Sequence, residues 1–248
     1  MFSLDQIRAA YKAGEFFLEY LPTISLVDNR CVGGEALIRW RQPDRVVPPL
    51  EFIRQVEHTP LSGTLTYWVL ETVGKELGAW LRNNDDVYIS INVPPEILGR
   101  GGLRYVVEKT NMRDLAGKLM IEITERGVPD ALGIAALGEA YRAGALIALD
   151  DVNLNEANLV VLSRIQTDVV KFDKSFADRM LRPDWNHEEI DTLATLIQNS
   201  GFRVIVEGVE TAAQAAILKN AGVELVQGFF FSEPLPAADF IEYCSARQ

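Results

Sequence analysis

The feature that most constrains the fold is an alternation of short apolar runs, rich in β-branched residues, with longer segments of helical periodicity. The eight apolar runs lie at residues 17–26, 33–40, 87–93, 118–124, 145–150, 169–173, 203–207 and 224–227. Segments 61–81, 134–143 and 190–199 show the 3.6-residue period, and Gly144 and Gly201 stand just before two of the runs. Strands that alternate with helices predict parallel βαβ units.

The number of strands and the chain length together predict the architecture. For 248 residues a closed (β/α)8 barrel is the leading α/β fold, and an open doubly wound sheet is second. We expect residues 1–248 to form a single barrel domain. Only residues 27–32, with Asp28-Asn29 as turn residues, join the first two runs, which is too short for a crossover helix. These two strands should form an antiparallel hairpin, so the barrel would be irregular at its first strand.

Composition excludes several classes of protein. With 24 Lys and Arg against 35 Asp and Glu, the net charge of −11 argues against binding a nucleic acid polymer. No apolar run is long enough for membrane insertion, and Asp5 and Arg8 interrupt any signal-peptide core, so we expect a cytoplasmic protein. Two cysteines, Cys31 and Cys244, cannot make a disulfide scaffold, and a reducing compartment fits them more simply.

The ends of the apolar runs carry polar side chains. They are Asn92, Glu122, Glu125, Asp150, Asp151, Lys171, Asp173, Glu207, Glu210 and Gln227, while Glu35 lies within the second run. In a barrel the carboxyl ends of the strands converge on one face, so several negative charges would meet there, which is unfavourable unless a cation binds. Oxygen donors without His or Cys favour Mg²⁺ or Mn²⁺ over zinc. Two such ions sharing a carboxylate suit attack on a phosphodiester.

Each of these residues also has a simpler interpretation. A single carboxylate at a strand end is commonly a solvated loop residue. Asp150 and Asp151 could cap the next helix, and Lys171 could extend outward along apolar surface. The joint pattern favours a site, because nearly every run carries a ligand-type group at the same end. His58 and His187 are poorly placed for a catalytic triad.

At these residues the chain resembles the EAL domain family. Residues 35–40, Glu-Ala-Leu-Ile-Arg-Trp, are similar to the motif that names the family. The other family motifs follow in order at residues 92–95, 122–125, 150–151, 171–173, 207–211 and 227–232. The resemblance implies a modified (β/α)8 TIM-like barrel with an antiparallel first strand. It also implies a homodimer that hydrolyses the bacterial second messenger cyclic di-GMP to linear pGpG with two Mg²⁺ or Mn²⁺ ions, Ca²⁺ being inhibitory.

The resemblance also assigns roles to single residues. It implies that Glu35, Asn92, Glu122 and Asp150 hold one metal ion, and that Asp150, Asp151 and Glu207 hold the second. It assigns catalytic roles to Lys171, Glu207, Asp173 and Gln227, with Lys171 offsetting charge in the transition state, Asp173 holding Lys171, and Gln227 orienting a water or a phosphate. It assigns substrate binding to Arg39, Ile38, Gln227 and Phe231, and loop stabilisation to Glu125 and Glu210.

Three departures from the family pattern bear on the activity. Leu21 stands where the family has a glutamine, and Glu233 stands where an Arg or Lys is common, which would weaken base or phosphate contacts. Residues 152–158 replace the family's Phe-Gly-Thr-Gly-Tyr-Ser-Ser. The first hypothesis is therefore an enzyme that is slow or regulated, because the metal-ligand set is complete but the loop is altered. The second is a non-catalytic EAL domain that binds cyclic di-GMP or a regulatory protein partner. A barrel phosphatase of another substrate would require the resemblance to be accidental.

Overall fold

A computed structural model of the chain describes residues 2–124, 129–150, 152, 165–182, 188–199 and 201–248. The strands are β1 (Phe16–Ser25), β2 (Cys31–Arg41), β3 (Val46–Val47), β4 (Tyr88–Asn92), β5 (Leu119–Thr124), β6 (Leu146–Asp150), β7 (Val169–Phe172), β8 (Arg203–Val206) and β9 (Leu225–Val226). The helices are α1 (Leu4–Ala13), α2 (Ile53–Val56), α3 (Pro60–Leu81), α4 (Gly102–Lys109), α5 (Ala131–Arg142), α6 (Lys174–Arg179), α7 (Glu188–Asn199), α8 (Ala212–Asn220) and α9 (Ala237–Ser245). Single turns of 3₁₀ helix lie at Pro49–Glu51 and Pro95–Ile97, and a longer one at Arg113–Lys118.

The described strands close into a barrel. Their order is β1-β9-β8-β7-β6-β5-β4-β2-β3, and a further pairing of β1 with β2 closes the ring around eight strands, leaving the two-residue β3 outside it. β1 runs antiparallel to both β2 and β9, and the other ring strands are parallel to their neighbours. The prediction of a modified (β/α)8 barrel is confirmed, and the open sheet is excluded.

The irregular first strand follows from the short β1–β2 connection. The hairpin pairs Phe16 with Trp40 and Thr23 with Gly33. Asn29 turns the chain in a left-handed conformation, with φ of 62°, which asparagine tolerates better than most residues. A turn of this length can only reverse the chain, so β1 must run against the direction of its neighbours.

The barrel interior is filled in layers because side chains in a strand alternate between its two faces. One apolar layer consists of Tyr88, Met120, Ala148, Val169, Ile205 and Leu225. In most of these strands the residue two positions further on is polar, since Glu122 follows Met120 and Lys171 follows Val169 at that spacing. The polar residues therefore form the next layer up, at the carboxyl ends of the strands.

Helices cover the outside of this barrel, and their buried side chains form one continuous core with those of the strands. The longest, α3, begins with Thr59, whose side chain accepts a hydrogen bond from the Leu61 N–H, and with Pro60 at its first turn. Its buried side chains include Leu65, Leu70 and Leu77. Within the part of the chain that the structure describes, no helix is both long and apolar enough to cross a lipid bilayer.

The two cysteines form one disulfide. Cys31, at the start of β2, is joined to Cys244 in α9, with the two Cα atoms 5.0 Å apart and both side chains buried. A single bridge is not a scaffold, as expected from the sequence. The pairing gives no support, however, to the expectation of a reducing compartment, which rested on the small number of cysteines.

Candidate active site

Polar side chains from successive strands form a ring at the carboxyl end of the barrel. Glu35 comes from the middle of β2, Glu122 from β5 and Lys171 from β7, while Asn92 and Asp150 are the last residues of β4 and β6. Glu207 and Gln227 directly follow β8 and β9. The register places Asn92 beside Glu122 in adjacent strands. The convergence predicted from the strand ends is therefore observed.

Lys171 stands at the centre of this ring. Its Nζ lies 2.9 Å from Glu122 Oε2, 3.2 Å from Glu35 Oε2 and 3.6 Å from Asp150 Oδ1, and it also contacts Glu207 Oε1. The Lys171 side chain is fully buried, so the alternative in which it extends outward is wrong. The four carboxylates and the ammonium form what we call the acidic cluster: Glu35, Glu122, Asp150, Glu207 and Lys171.

Asn92 joins the acidic cluster through Glu35. Its Nδ2 donates a hydrogen bond to Glu35 Oε1 at 2.8 Å. With the nitrogen used in this way, the carbonyl oxygen of Asn92 is the atom left to bind a cation. The contact thus orients both side chains as oxygen ligands.

The cluster holds more negative charge than its single ammonium offsets. Burial raises the pKa of Glu122 well above its usual value, and the charge of Glu35 raises it further. Burial also raises the pKa of Glu207 to about 8, against the lowering effect of Lys171. For Lys171 burial acts to lower the pKa, but the surrounding carboxylates, led by Asp150, outweigh it and hold the pKa well above its usual value. The ammonium is therefore charged, while Glu122 and Glu207 bind protons more readily than carboxyl groups in water do.

The chemistry of this donor set fits a divalent cation. Four carboxylates around one ammonium leave an uncompensated negative charge in the barrel interior, and the available ligand atoms are oxygens, as Mg²⁺ and Mn²⁺ require. In the described ranges no group of three or more Asp, Glu, His or Cys side chains has the arrangement of a preformed metal site. The Lys171 ammonium lies between the carboxylates.

Gln227 lies beside the acidic cluster, next to β1. Its side chain is 1% exposed, and its Nε2 donates to Thr23 Oγ1 at 2.9 Å and to the Leu21 carbonyl oxygen at 3.3 Å. Sequence reasoning singled out Gln227 but missed Thr23. The feature that could have identified Thr23 is the period of two along β1, which places Thr23 on the same face as Leu21.

The other predicted substrate-binding residues are Arg39, Ile38 and Phe231, which follow the polar ring along β2 and after β9. Arg39 Nε donates to Glu19 Oε2 at 2.8 Å, a partner that the sequence analysis also missed. Ile38 is buried, and the half-buried Phe231 accepts a hydrogen bond on its carbonyl oxygen from the Tyr243 hydroxyl. Glu19 thus fixes the plane of the Arg39 guanidinium.

Two residues expected to support the site have other contacts. Asp173 was assigned to hold Lys171, but it immediately precedes α6, and its Oδ1 accepts a hydrogen bond from the Ser175 hydroxyl at 2.7 Å. It is not among the carboxylates around Lys171. Glu210 forms an ion pair with Lys174, at 3.0 Å, which ties the segment after β8 to α6.

Part of the predicted site lies outside the described residues. These are Asp151, Glu125 and residues 153–158 of the altered loop. Val152 is described: its side chain is buried, and its N–H donates to the Lys171 carbonyl oxygen at 2.9 Å. The loop therefore begins against the backbone of the strand that carries the central lysine.

A groove leads from the acidic cluster to the surface. Its volume is about 540 Å³, within the range of sites for small molecules. Its lining includes Glu35, Asn92 and Asp150 together with Pro95 and Arg100. The arrangement can place an extended ligand against the cluster.

Comparison with known proteins identifies one family. Residues 4–234 match the sequence model of the EAL domain. The chain is 31% identical over 246 residues to "Probable cyclic di-GMP phosphodiesterase PdeB" of Escherichia coli K12, covering 96% of this chain but only 46% of that protein. It is 29% identical over 250 residues to "Cyclic di-GMP phosphodiesterase NbdA" of Pseudomonas aeruginosa PAO1, covering 98% of this chain and 32% of that protein. A solved structure described as "PaMucR Phosphodiesterase, c-di-GMP complex" matches with a TM-score of 0.85 and 25% identity over 96% of this chain and 98% of that one.

Proposed function

The chain belongs to the EAL domain family, and from this we propose that it is a metal-dependent phosphodiesterase that hydrolyses cyclic di-GMP to linear pGpG. The observation that carries the proposal is the acidic cluster, in which four carboxylates from four strands surround the buried ammonium of Lys171. A receptor needs only to bind its ligand. A hydrolase also needs oxygen ligands for a cation and a group that offsets charge in the transition state.

The residues that would hold Mg²⁺ or Mn²⁺ are Glu35, Asn92, Glu122, Asp150 and Glu207, with Asp151 as a predicted further ligand of a second ion. When bound, such an ion polarises the phosphoryl oxygens and lowers the pKa of bound water toward neutrality. The protein's own contribution is to hold these oxygen atoms in a buried layer, where they need little rearrangement.

Lys171 and Arg39 supply the positive charge of the proposed site. In the proposed reaction Lys171 donates a hydrogen bond to the oxygen on which negative charge develops, because its buried ammonium stays protonated. Arg39 donates from Nε to Glu19 and from Nη1 to the Ile38 carbonyl oxygen, so in the proposed reaction its Nη2 group binds a phosphate oxygen of the ligand. The groove beside Ile38 and Pro95 provides the space for one half of an extended dinucleotide.

The altered loop supports a second candidate function. Residues 152–158 differ from the family pattern directly after the aspartate pair, so an EAL domain that binds cyclic di-GMP without hydrolysing it is the alternative. The intact set of described ligands favours the enzyme, and the loop favours a low rate. A homodimer, a regulatory protein partner and a cytoplasmic location remain proposals carried over from the sequence.

The deciding experiment incubates the purified chain with cyclic di-GMP and follows pGpG by chromatography. We expect turnover with Mg²⁺ or Mn²⁺ and binding without turnover in Ca²⁺, whose longer and looser coordination misplaces the reacting groups. As a control for substitutions in the acidic cluster, Asp239→Ala removes an exposed carboxylate from α9 and should leave turnover unchanged. Tight binding of cyclic di-GMP without turnover in either metal would instead establish the receptor.

A further inference from the structure

The amide of Gln227 is held by its nitrogen only. Nε2 donates to Thr23 Oγ1 and to the Leu21 carbonyl oxygen, so both of its N–H bonds are used within the barrel wall. Gln227 Oε1 is also buried, and no donor among the described residues bonds to it. The side chain therefore presents one acceptor atom that still requires a donor.

The chemistry of β1 determines this orientation. The Leu21 carbonyl oxygen can only accept a hydrogen bond, so the atom of Gln227 that faces it must be the nitrogen. The Thr23 hydroxyl, 2.9 Å away, provides the second acceptor. Turning the amide around would place two oxygens against each other at the Leu21 carbonyl. Of these two residues, Thr23 contacts the amide through its side chain, whereas Leu21 contacts it through its backbone carbonyl.

The strand register places Gln227 beside β1, the strand at which the polar ring is interrupted. Leu21 pairs with Glu35 across the hairpin, and Val226, the residue before Gln227, pairs with Val206, the residue before Glu207. Gln227 thus lies between the strand of Glu207 and the strand of Glu35. At this point β1 contributes the apolar Leu21, where the family pattern has a glutamine.

We propose that Thr23 is a positioning residue that turns the Gln227 carbonyl oxygen toward the acidic cluster, where it accepts a hydrogen bond from a water molecule. The inference rests on the proposed function, in which Gln227 orients either a water or a phosphate. Ester phosphate oxygens are acceptors, and two acceptors form no hydrogen bond, so the orientation disfavours the phosphate. A nucleotide base is also disfavoured, because a side chain that is 1% exposed offers it no surface.

The test compares Thr23→Val, which removes the hydroxyl at nearly constant shape, with Thr23→Ser, which keeps it. We expect Thr23→Val to lower kcat about tenfold with KM within twofold, since a group that orients water acts on the chemical step. Thr23→Ser should restore kcat. The control Thr72→Val removes a hydroxyl that donates to the Trp68 carbonyl oxygen within α3, and should leave kcat unchanged.

A double-mutant cycle separates positioning from a general structural effect. In a Gln227→Ala background Thr23→Val should cause no further loss of kcat, because the group that it positions is absent. An equal loss in both backgrounds would overturn the inference, as would a wild-type kcat in Thr23→Val.

A second measurement does not depend on activity. Hydrogen exchange of the Gln227 side-chain amide, followed by NMR in ¹⁵N-labelled protein, should be slow in the wild type and in Thr23→Ser and fast in Thr23→Val. Rapid exchange in the wild type contradicts the proposed geometry even if Thr23→Val does not fold. If the wild type shows no turnover, the proposed function fails, and amide exchange alone then decides the role of Thr23.

Discussion

The Lys171 ammonium lies 2.9 Å from the carboxylate of Glu122, and both side chains are almost fully buried in the barrel interior. An ion pair at such depth is stable only when each charge is well compensated, because removal from water costs several kcal/mol per ion. Here Lys171 contacts four carboxyl groups at once, which makes it the single positive charge on which the metal-free cluster depends.

Replacing Lys171 should therefore affect both turnover and stability. We expect Lys171→Met to lower kcat by at least a hundredfold while substrate affinity stays within a few-fold, because the group acts mainly in the transition state. In metal-free protein the variant should also lose about 3–5 kcal/mol of unfolding free energy, measured in urea, since buried carboxylates are left uncompensated. Lys75→Met, at an exposed lysine of α3, is the control. Normal kcat with lost affinity would make Lys171 a simple phosphate anchor.

Removing a cluster carboxylate should abolish turnover. Glu35→Ala and Asp150→Ala each remove an oxygen ligand from the proposed metal site, and saturating Mg²⁺ or Mn²⁺ should not restore activity. Calorimetric titration with Mn²⁺ should show at least tenfold weaker binding in both variants. Activity near the wild-type level in either variant contradicts the assignment of the ligands.

Metal binding should depend on pH through Glu207. Its pKa is raised to about 8 in the metal-free protein, so it is mostly protonated at neutral pH and must lose that proton to bind a cation. Affinity for Mn²⁺ should rise with pH until about 8 and then level off. Titration in two buffers of different ionisation enthalpy should show proton release at pH 6.5 and little at pH 9. Glu207→Gln should weaken this dependence, and Glu122, whose pKa burial also raises, should account for what is left.

The same shift predicts how pH affects the metal-free fold. A carboxyl group whose pKa rises from 4.5 to about 8 on folding binds more protons in the folded state. Its contribution to stability is therefore present below the unfolded pKa and is lost as pH rises to about 8. The melting temperature of metal-free protein should fall across this interval, and in Glu207→Gln this fall should be smaller.

Gly33 should be intolerant of a side chain. A Cβ at this position would lie 2.6 Å from the ring of Tyr88, which fills the barrel interior under the polar layer. Gly33→Ala should cost about 1–3 kcal/mol, typical of overpacking in a core, as measured by urea unfolding. Gly201→Ala, where the added carbon would meet nothing within 4 Å, is the control. Equal stability of the two variants would show that the ring can move at little cost.

Restoring the family loop should raise the rate. Replacing residues 152–155 with Phe-Gly-Thr-Gly should increase kcat about tenfold, equivalent to about 1.4 kcal/mol of barrier. The reason is that Val152 begins the loop on the backbone of Lys171, so its path affects the site directly. Hydrolysis that appears only after this replacement would make the native chain a receptor.

The barrel and the membership of its polar ring could be predicted from sequence. The ends of the apolar runs placed Glu122, Asp150 and Lys171 at one end of the barrel, and the short turn at Asp28-Asn29 predicted the antiparallel β1. The placement of Asp173 could not be predicted in this way. A strand-end residue can serve either the site or the helix that follows, and Asp173 contacts Ser175.

What the sequence by itself determined is the alternation of strands and helices, the reversal at β1 and the identity of the oxygen-bearing side chains at one end of the barrel. Those depend on local periodicity and on chain length between elements, which are readable in one dimension. Only the tertiary structure decided that Lys171 is the shared partner of four carboxylates, that the Gln227 amide donates to Thr23, and that Cys31 meets Cys244. These contacts join residues from distant parts of the chain, so they exist only once barrel closure has set which strands are neighbours and which face each residue presents.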